Sequence, residues 1–309
     1  MDMIRQIKME YDFSDVKWLK KDQILDSEYG KKRIRIWKDK QLLQWHVKWR
    51  DEISNKSGIL LDRMIRTKAG DPFFISEKGW TSIHDEIEEQ FPCQGREQEW
   101  GRLIGSILAY GLAQSDDCQR FKKQDQLTLD ADKASIDELP FLDPMAKLVL
   151  ERSYYEAKNR TRKADHLLDR IHQKRLPILL PFSSLIDAKQ VVFTLFWICG
   201  DAHPVKGYEP IRHLLEEWYL KNGAVSTELL LDKTNEYFSL KGDQGLLLLT
   251  ECLLPYELKT VFRDLSINET VAGTSKIMKS YFQSWETSRK LVLLISNWIE
   301  KEGEKAVAR

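Results

Sequence analysis

A chain of 309 residues and 36.3 kDa, 42% hydrophobic and 31% charged, is long enough for two lobes or one large domain and too apolar to remain disordered. Its 48 basic and 48 acidic residues cancel, so no whole-molecule field draws it to nucleic acid or to an anionic membrane. No apolar run approaches the roughly 20 residues that a membrane span requires, and the first ten residues lack a signal-peptide core, so the chain is expected in the cytoplasm.

In chain order, residues 3–11 read as a short strand or helix. Residues 31–37 alternate, with Ile34 and Ile36 on one face and Arg33 and Arg35 on the other, which predicts a half-buried strand. Residues 39–55 place Leu42, Leu43, Trp45, Trp49 and Ile53 at helical spacings and meet a stop at Gly58, which predicts an amphipathic helix. Residues 60–67 and 72–76 flank a turn at 68–71 and read as a hairpin. From Trp100 the pattern becomes helical, with Gly101, Gly105 and Gly111 allowing a close neighbour. Residues 114–138 read as a polar surface connection.

Helices are expected at 145–157 and 162–173, followed by a continuous β-branched and aromatic run at 191–199. Further helices are expected at 211–221, ended by Asn222 and Gly223, and at 227–238, 243–253 and 284–301. Cys93, Cys118, Cys199 and Cys252 lie far apart and read as buried, inert thiols rather than a zinc site or a disulfide framework. Of ten tryptophans, Trp37, Trp45, Trp49, Trp80 and Trp100 crowd the first third and read as core between a small sheet and a helix. His84 with Asp85, and Asp165 with His166, read as exposed helix pairs. No Walker loop, GxSxG elbow, HExxH or GxGxxG motif is present.

Residues 30–37 and 45–57, and above all Arg63-Met-Ile-Arg-Thr-Lys-Ala-Gly-Asp-Pro-Phe-Phe74, are similar to the N-lobe of the spore-coat-associated kinase-like proteins of the CotS type. That family, found in endospore-forming bacteria, is related to the aminoglycoside and choline phosphotransferases. Residues 237–256, with Leu240, Leu247, Leu248, Leu249 and Pro255, resemble its penultimate helices. The resemblance implies an α+β, protein-kinase-like two-lobed fold, with a small mixed N-lobe at 1–92 and a mainly helical C-lobe at 93–309.

The resemblance also implies that the strand at 31–38 should carry the lysine for the ATP phosphates and the next helix its glutamate. This chain offers Arg35 at the lysine position, Lys38 just past the strand and Glu52 on the helix, and together they read as a vestigial ATP site. An arginine cannot reproduce the compact charge of a lysine in a phosphate cradle.

Two registers remain open for the catalytic loop. In one, residues 180–188 are the loop, without the base aspartate or the metal-binding asparagine, and residues 196–202 replace the metal-aspartate strand with only Asp201 near a useful position. In the other, residues 199–204 are the loop, Asp201 is the base and Lys206 replaces the asparagine. Both imply impaired metal-dependent chemistry, with no metal ligands and no required cofactor.

The expectation is a pseudokinase with a binding or scaffolding role in spore coat assembly, partnered by other proteins such as coat components. The alternative is an active phosphotransferase using ATP, magnesium and Asp201. A third reading is a small-molecule binder working through the tryptophan-rich first lobe.

Overall fold

The computed structural model describes residues 2–115, 141–182, 184–268 and 270–307. The sequence reading of 114–138 therefore falls almost wholly outside the described residues, as does Cys118.

The chain begins with α1 (Met3–Glu10), β1 (Val16–Lys20), β2 (Ile24–Ser27), β3 (Lys32–Trp37), α2 (Lys40–Ser57), β4 (Leu60–Leu61), β5 (Phe74–Ser76) and β6 (Gly79–Asp85). There follow α3 (Glu97–Ala113), α4 (Pro144–Arg170), β7 (Ile178–Leu179), β8 (Ala188–Val191), β9 (Thr194–Trp197) and β10 (Val205–Lys206). The last helices are α5 (Glu209–Tyr237), α6 (Asp243–Leu253), α7 (Tyr256–Ser266) and α8 (Val271–Val307). No described helix is long and apolar enough to cross a membrane.

By contact the chain divides into two units. A sheet unit comprises Met1–Gly95 with Leu180–His203, and a helical unit comprises Arg96–Leu179 with Pro204–Arg309. The sequence division placed one boundary after residue 92. In the folded chain, residues 180–203 return to the sheet unit.

The sheet unit holds a five-stranded antiparallel sheet in the order β1-β2-β3-β6-β5. Ile7, Tyr11, Leu25, Ile34, Phe74 and Ile83 form one core beneath α1. Trp37, Leu43 and Met64 form another beside α2. Helix α2 starts where expected because the Asp39 carboxylate accepts from the Gln41 and Leu42 amides. It stops at Gly58, whose φ of 64° only glycine adopts without penalty. Trp37 and Trp49 are buried as the sequence suggested, while Trp100 is core of the helical unit, 5.3 Å from Trp218.

Several expectations need correction. Residues 3–11 form a helix, and β1 and β2 were not anticipated. The hairpin is formed by β5 and β6 around residues 77–78, whereas β4 pairs in parallel with β9 in a second sheet of order β4-β9-β8. The turn at 68–71 survives, held by the Thr67 amide on the Asp71 carbonyl, but it joins no two paired strands. The apolar run at 191–199 breaks at a tight turn, where Val192 and Phe193 adopt φ of 46° and 63°.

In the helical unit, α4 is one helix of 27 residues where two were expected, since no Gly or Pro interrupts residues 158–161. α5 does break at Gly223, with φ 78°, as its sequence indicated. The glycines of α3 allow α5 to lie against it: a Cβ on Gly105 would sit 2.9 Å from the Thr234 carbonyl oxygen. α8 runs from Val271, earlier than expected.

Candidate functional site: a buried arginine cluster in the sheet unit

Five segments of the sheet unit converge on one buried carboxylate. Asp62 follows β4 immediately and is 1% exposed. Its Oδ1 accepts from Arg50 Nε at 3.0 Å and from the Cys199 amide at 3.0 Å. Its Oδ2 lies 3.5 Å from Arg35 Nη2, and its backbone carbonyl meets His84 Nδ1 at 2.7 Å.

The guanidinium groups then reach past Asp62 to the chain leaving β9. Arg35 Nη2 donates to the Cys199 carbonyl at 2.7 Å. Arg50 Nη2 donates to the Gly200 carbonyl at 2.8 Å and to that of Cys199 at 3.3 Å. His46 Nε2 meets the Ala202 carbonyl at 3.0 Å, and its Nδ1 meets Arg50 Nη1 at 2.6 Å. Residues 199–202 are thus held through their backbone oxygens by two arginines and a histidine.

The elements explain the convergence. Strand alternation turns Arg35 away from the Ile34 side of β3. On α2, His46 and Arg50 are four residues apart, on the same buried stripe as Leu43, Ile53 and Ser57.

Burial alone would raise the Asp62 carboxyl, but Arg50, His84 and Arg35 hold it below the usual range. Burial opposes the charge on Arg50, yet Asp62 keeps it above its ordinary value. Burial, reinforced by Arg50, pushes His46 down to about 3. Burial also depresses His84, to about 4, against the pull of Asp62. Both imidazoles are neutral near pH 7, so the cluster is two cations around one anion, with Asp201 at its edge.

Of the residues singled out by sequence, Arg35 belongs to this cluster. Asp201 is exposed, its Oδ1 3.8 Å from Arg35 Nη1. Lys38 lies apart, its Nζ donating to the Lys78 carbonyl at 2.8 Å. Glu52 also lies apart, bound to Lys48 at 3.7 Å and Lys56 at 3.2 Å along α2. His84 is not an exposed helix residue as expected but a buried strand residue, and Asp85 pairs with Lys32 at 2.7 Å.

Arg50, Asp62, His46 and His84 were missed as a site. The available signal was a histidine and an arginine on the apolar stripe of α2, positions that demand buried partners.

The resemblance of residues 63–74 would bring magnesium and a nucleotide with it. A divalent cation needs several free oxygen ligands. Here the Asp62 oxygens are occupied by guanidinium and amide donors, and the carbonyls of 199, 200 and 202 already accept hydrogen bonds. Only Asp201 offers an exposed carboxylate, and Arg35 stands beside it. No group of three or more potential metal ligands occurs among the described residues. The cluster does not fit a magnesium ion.

No family model matches the chain, and no curated protein matches it. Solved structures do. An aminoglycoside phosphotransferase from Alicyclobacillus acidocaldarius aligns with a TM-score of 0.69 at 10% identity, over 96% of each chain. A microcompartment-associated aminopropanol kinase aligns at 0.57 and 11% identity, over 95% of this chain and 98% of its own. A spectinomycin phosphotransferase in its AMP-bound complex aligns at 0.57 and 12% identity, over 93% and 96%. At these identities the likeness speaks to fold alone: the chain has the protein-kinase-like α+β fold of the aminoglycoside phosphotransferases, with a small antiparallel-sheet N-lobe and a helical C-lobe.

Proposed function

We propose that this protein is a pseudokinase: it keeps the phosphotransferase fold, has lost metal-dependent phosphoryl transfer and works by binding other proteins. One observation carries this reading. The segment leaving β9 is gripped through its carbonyls by Arg35, Arg50 and His46, and the two guanidinium groups stand beside the carboxylates of Asp62 and Asp201. Phosphoryl transfer needs a metal to neutralise the developing charge on the triphosphate, and here the two guanidinium groups already neutralise the carboxylates that would attract one.

This placement favours the register in which residues 196–202 replace the metal-aspartate strand. The similarity of residues 63–74 to the CotS type directs the binding role to spore coat assembly, in the cytoplasm or on the coat, with coat proteins as partners and no nucleic acid.

A second reading is kept by one observation: Asp201 is exposed beside Arg35, where it could act as the base of an active phosphotransferase using ATP and magnesium. Titration calorimetry with ATP, with and without magnesium, separates the two. The pseudokinase reading expects any nucleotide affinity to be indifferent to magnesium. Tight binding only with magnesium, followed by ATP consumption that Asp201→Asn abolishes, supports the enzyme.

A further inference from the structure

A cavity of about 570 Å³ opens in the helical unit between the first half of α5, α7 and the first half of α8. All its lining residues belong to that unit, so it is separate from the arginine cluster. The volume is that of a small-molecule pocket. Leu220, Val261, Ile277 and the ring of Tyr281 supply an apolar surface, while Thr260, Ser280, Ser284 and Thr287 add hydroxyls.

The buried charges of its wall face opposite charges of the protein, and the exposed Lys276 stands at the rim. Arg212, 3% exposed, gives Nη1 to Glu216 at 2.7 Å and lies over the Tyr256 ring at 4.3 Å. Glu257 receives Arg160 Nη1 at 2.6 Å, and Asp264 receives Arg263 at 3.0 Å. Behind Arg212, Glu251 lies 4.0 Å from its Nε, and burial biases that carboxyl towards its neutral form. Lys276 is exposed, and His213, 54% exposed, lies 3.6 Å from Glu209 and 3.8 Å from Glu216.

A charged ligand would shed its water in such a pocket and find the buried opposite charges already paired, while the exposed Lys276 offers a carboxylate only a solvated, weak partner. A neutral ligand meets no such penalty. Its apolar body can cover the aliphatic wall while its hydroxyl exchanges hydrogen bonds with the wall hydroxyls, which both donate and accept.

We infer that this cavity is a binding site for a neutral, hydroxyl-bearing small molecule with an apolar body, and that it rejects the same skeleton carrying an amine or a carboxylate. The inference goes beyond the pseudokinase reading and does not depend on it.

Three probes sharing one skeleton test it on the full chain: 2-phenylethanol, phenethylamine and phenylacetate, followed by saturation-transfer NMR titration. The alcohol should bind in the millimolar range, at least about tenfold more tightly than either charged analogue. Thr260→Trp on α7 and Ser280→Trp on α8, both at exposed positions, should fill the cavity and abolish binding with the melting temperature unchanged. The inference is overturned if a charged probe binds as well as the alcohol, if none of the three binds at about 10 mM, or if both folded tryptophan variants still bind the alcohol.

Discussion

Arg50 in the sheet unit and Arg160 in the helical unit use the same device for different ends. Each is buried, each meets one buried carboxylate, and each spans two successive carbonyls. Arg50 takes Asp62 with the carbonyls of Cys199 and Gly200, and Arg160 takes Glu257 with those of Cys252 and Leu253. The Arg160 carbonyls belong to the last turn of α6, where helical oxygens lack partners of their own, so that arginine is a helix cap. The Arg50 carbonyls belong to an irregular segment after β9. The guanidinium chemistry is alike, and what differs in functional meaning is the segment that is held.

The comparison breaks most visibly at the carboxylates. Arg50→Ala strands Asp62, whose partners hold its carboxyl low, and should cost about 3–5 kcal/mol in urea unfolding. Glu257 is already biased upward by burial, with Arg160 opposing, so after Arg160→Ala it can take up a proton. That variant should fall at or below the lower end of the same range. Equal losses would contradict the contrast. Replacing both partners, with Arg50→Met and Asp62→Leu, should cost less than Arg50→Ala alone, because no buried charge is orphaned.

Acid should separate the two sites next. His46 and His84 sit in the arginine cluster, whereas the partners of Arg160 among the described residues are Glu257, Ser288 and two carbonyls. Both histidines stay neutral in the fold to about 3 and 4, against an ordinary 6.5. Below pH 6.5 the unfolded chain therefore binds protons that the folded chain refuses, and stability must fall as pH falls. The slope is about 1.4 kcal/mol per pH unit for each histidine until its folded pKa is reached. Hydrogen exchange between pH 6.5 and 4.5 should show the loss in sheet-unit amides, and His46→Gln should remove about half of it.

The same contrast between local and distant causes explains what the sequence disclosed. Helix α2 was legible because Asp39, the apolar stripe and Gly58 all speak locally, and β3 because alternation is local too. Strand β4 was misread because its partner, β9, lies some 135 residues away, as Leu60 opposite Phe196, and no nearby residue encodes a parallel pairing. Asp62 was overlooked for that reason: it is buried by partners on β3, α2, β6 and the segment after β9, which no local pattern announces. Alternation set Arg35 on the polar face of β3, while its counterion Asp62 was not foreseen. Glu52 lies on the same helix as Arg50, two residues away, and that offset turns it to another face.

The smallest expected effects come from two breaks with positive φ. α5 bends at Gly223, which suits φ 78°, whereas the β8–β9 turn uses Val192 and Phe193, which do not suit theirs. Gly223→Ala should cost about 1 kcal/mol. Val192→Asn with Phe193→Gly should raise stability by about 1 kcal/mol. Thermal unfolding followed by calorimetry would read both changes.

On the pseudokinase proposal, the arginine cluster leaves too few free oxygen ligands for a catalytic metal. Titration calorimetry of the wild-type chain with ATP, repeated with magnesium and with a chelator, tests it most directly. The account predicts the same affinity, or none, in both conditions. Binding at least about tenfold tighter with magnesium, a gain of roughly 1.4 kcal/mol, would contradict it.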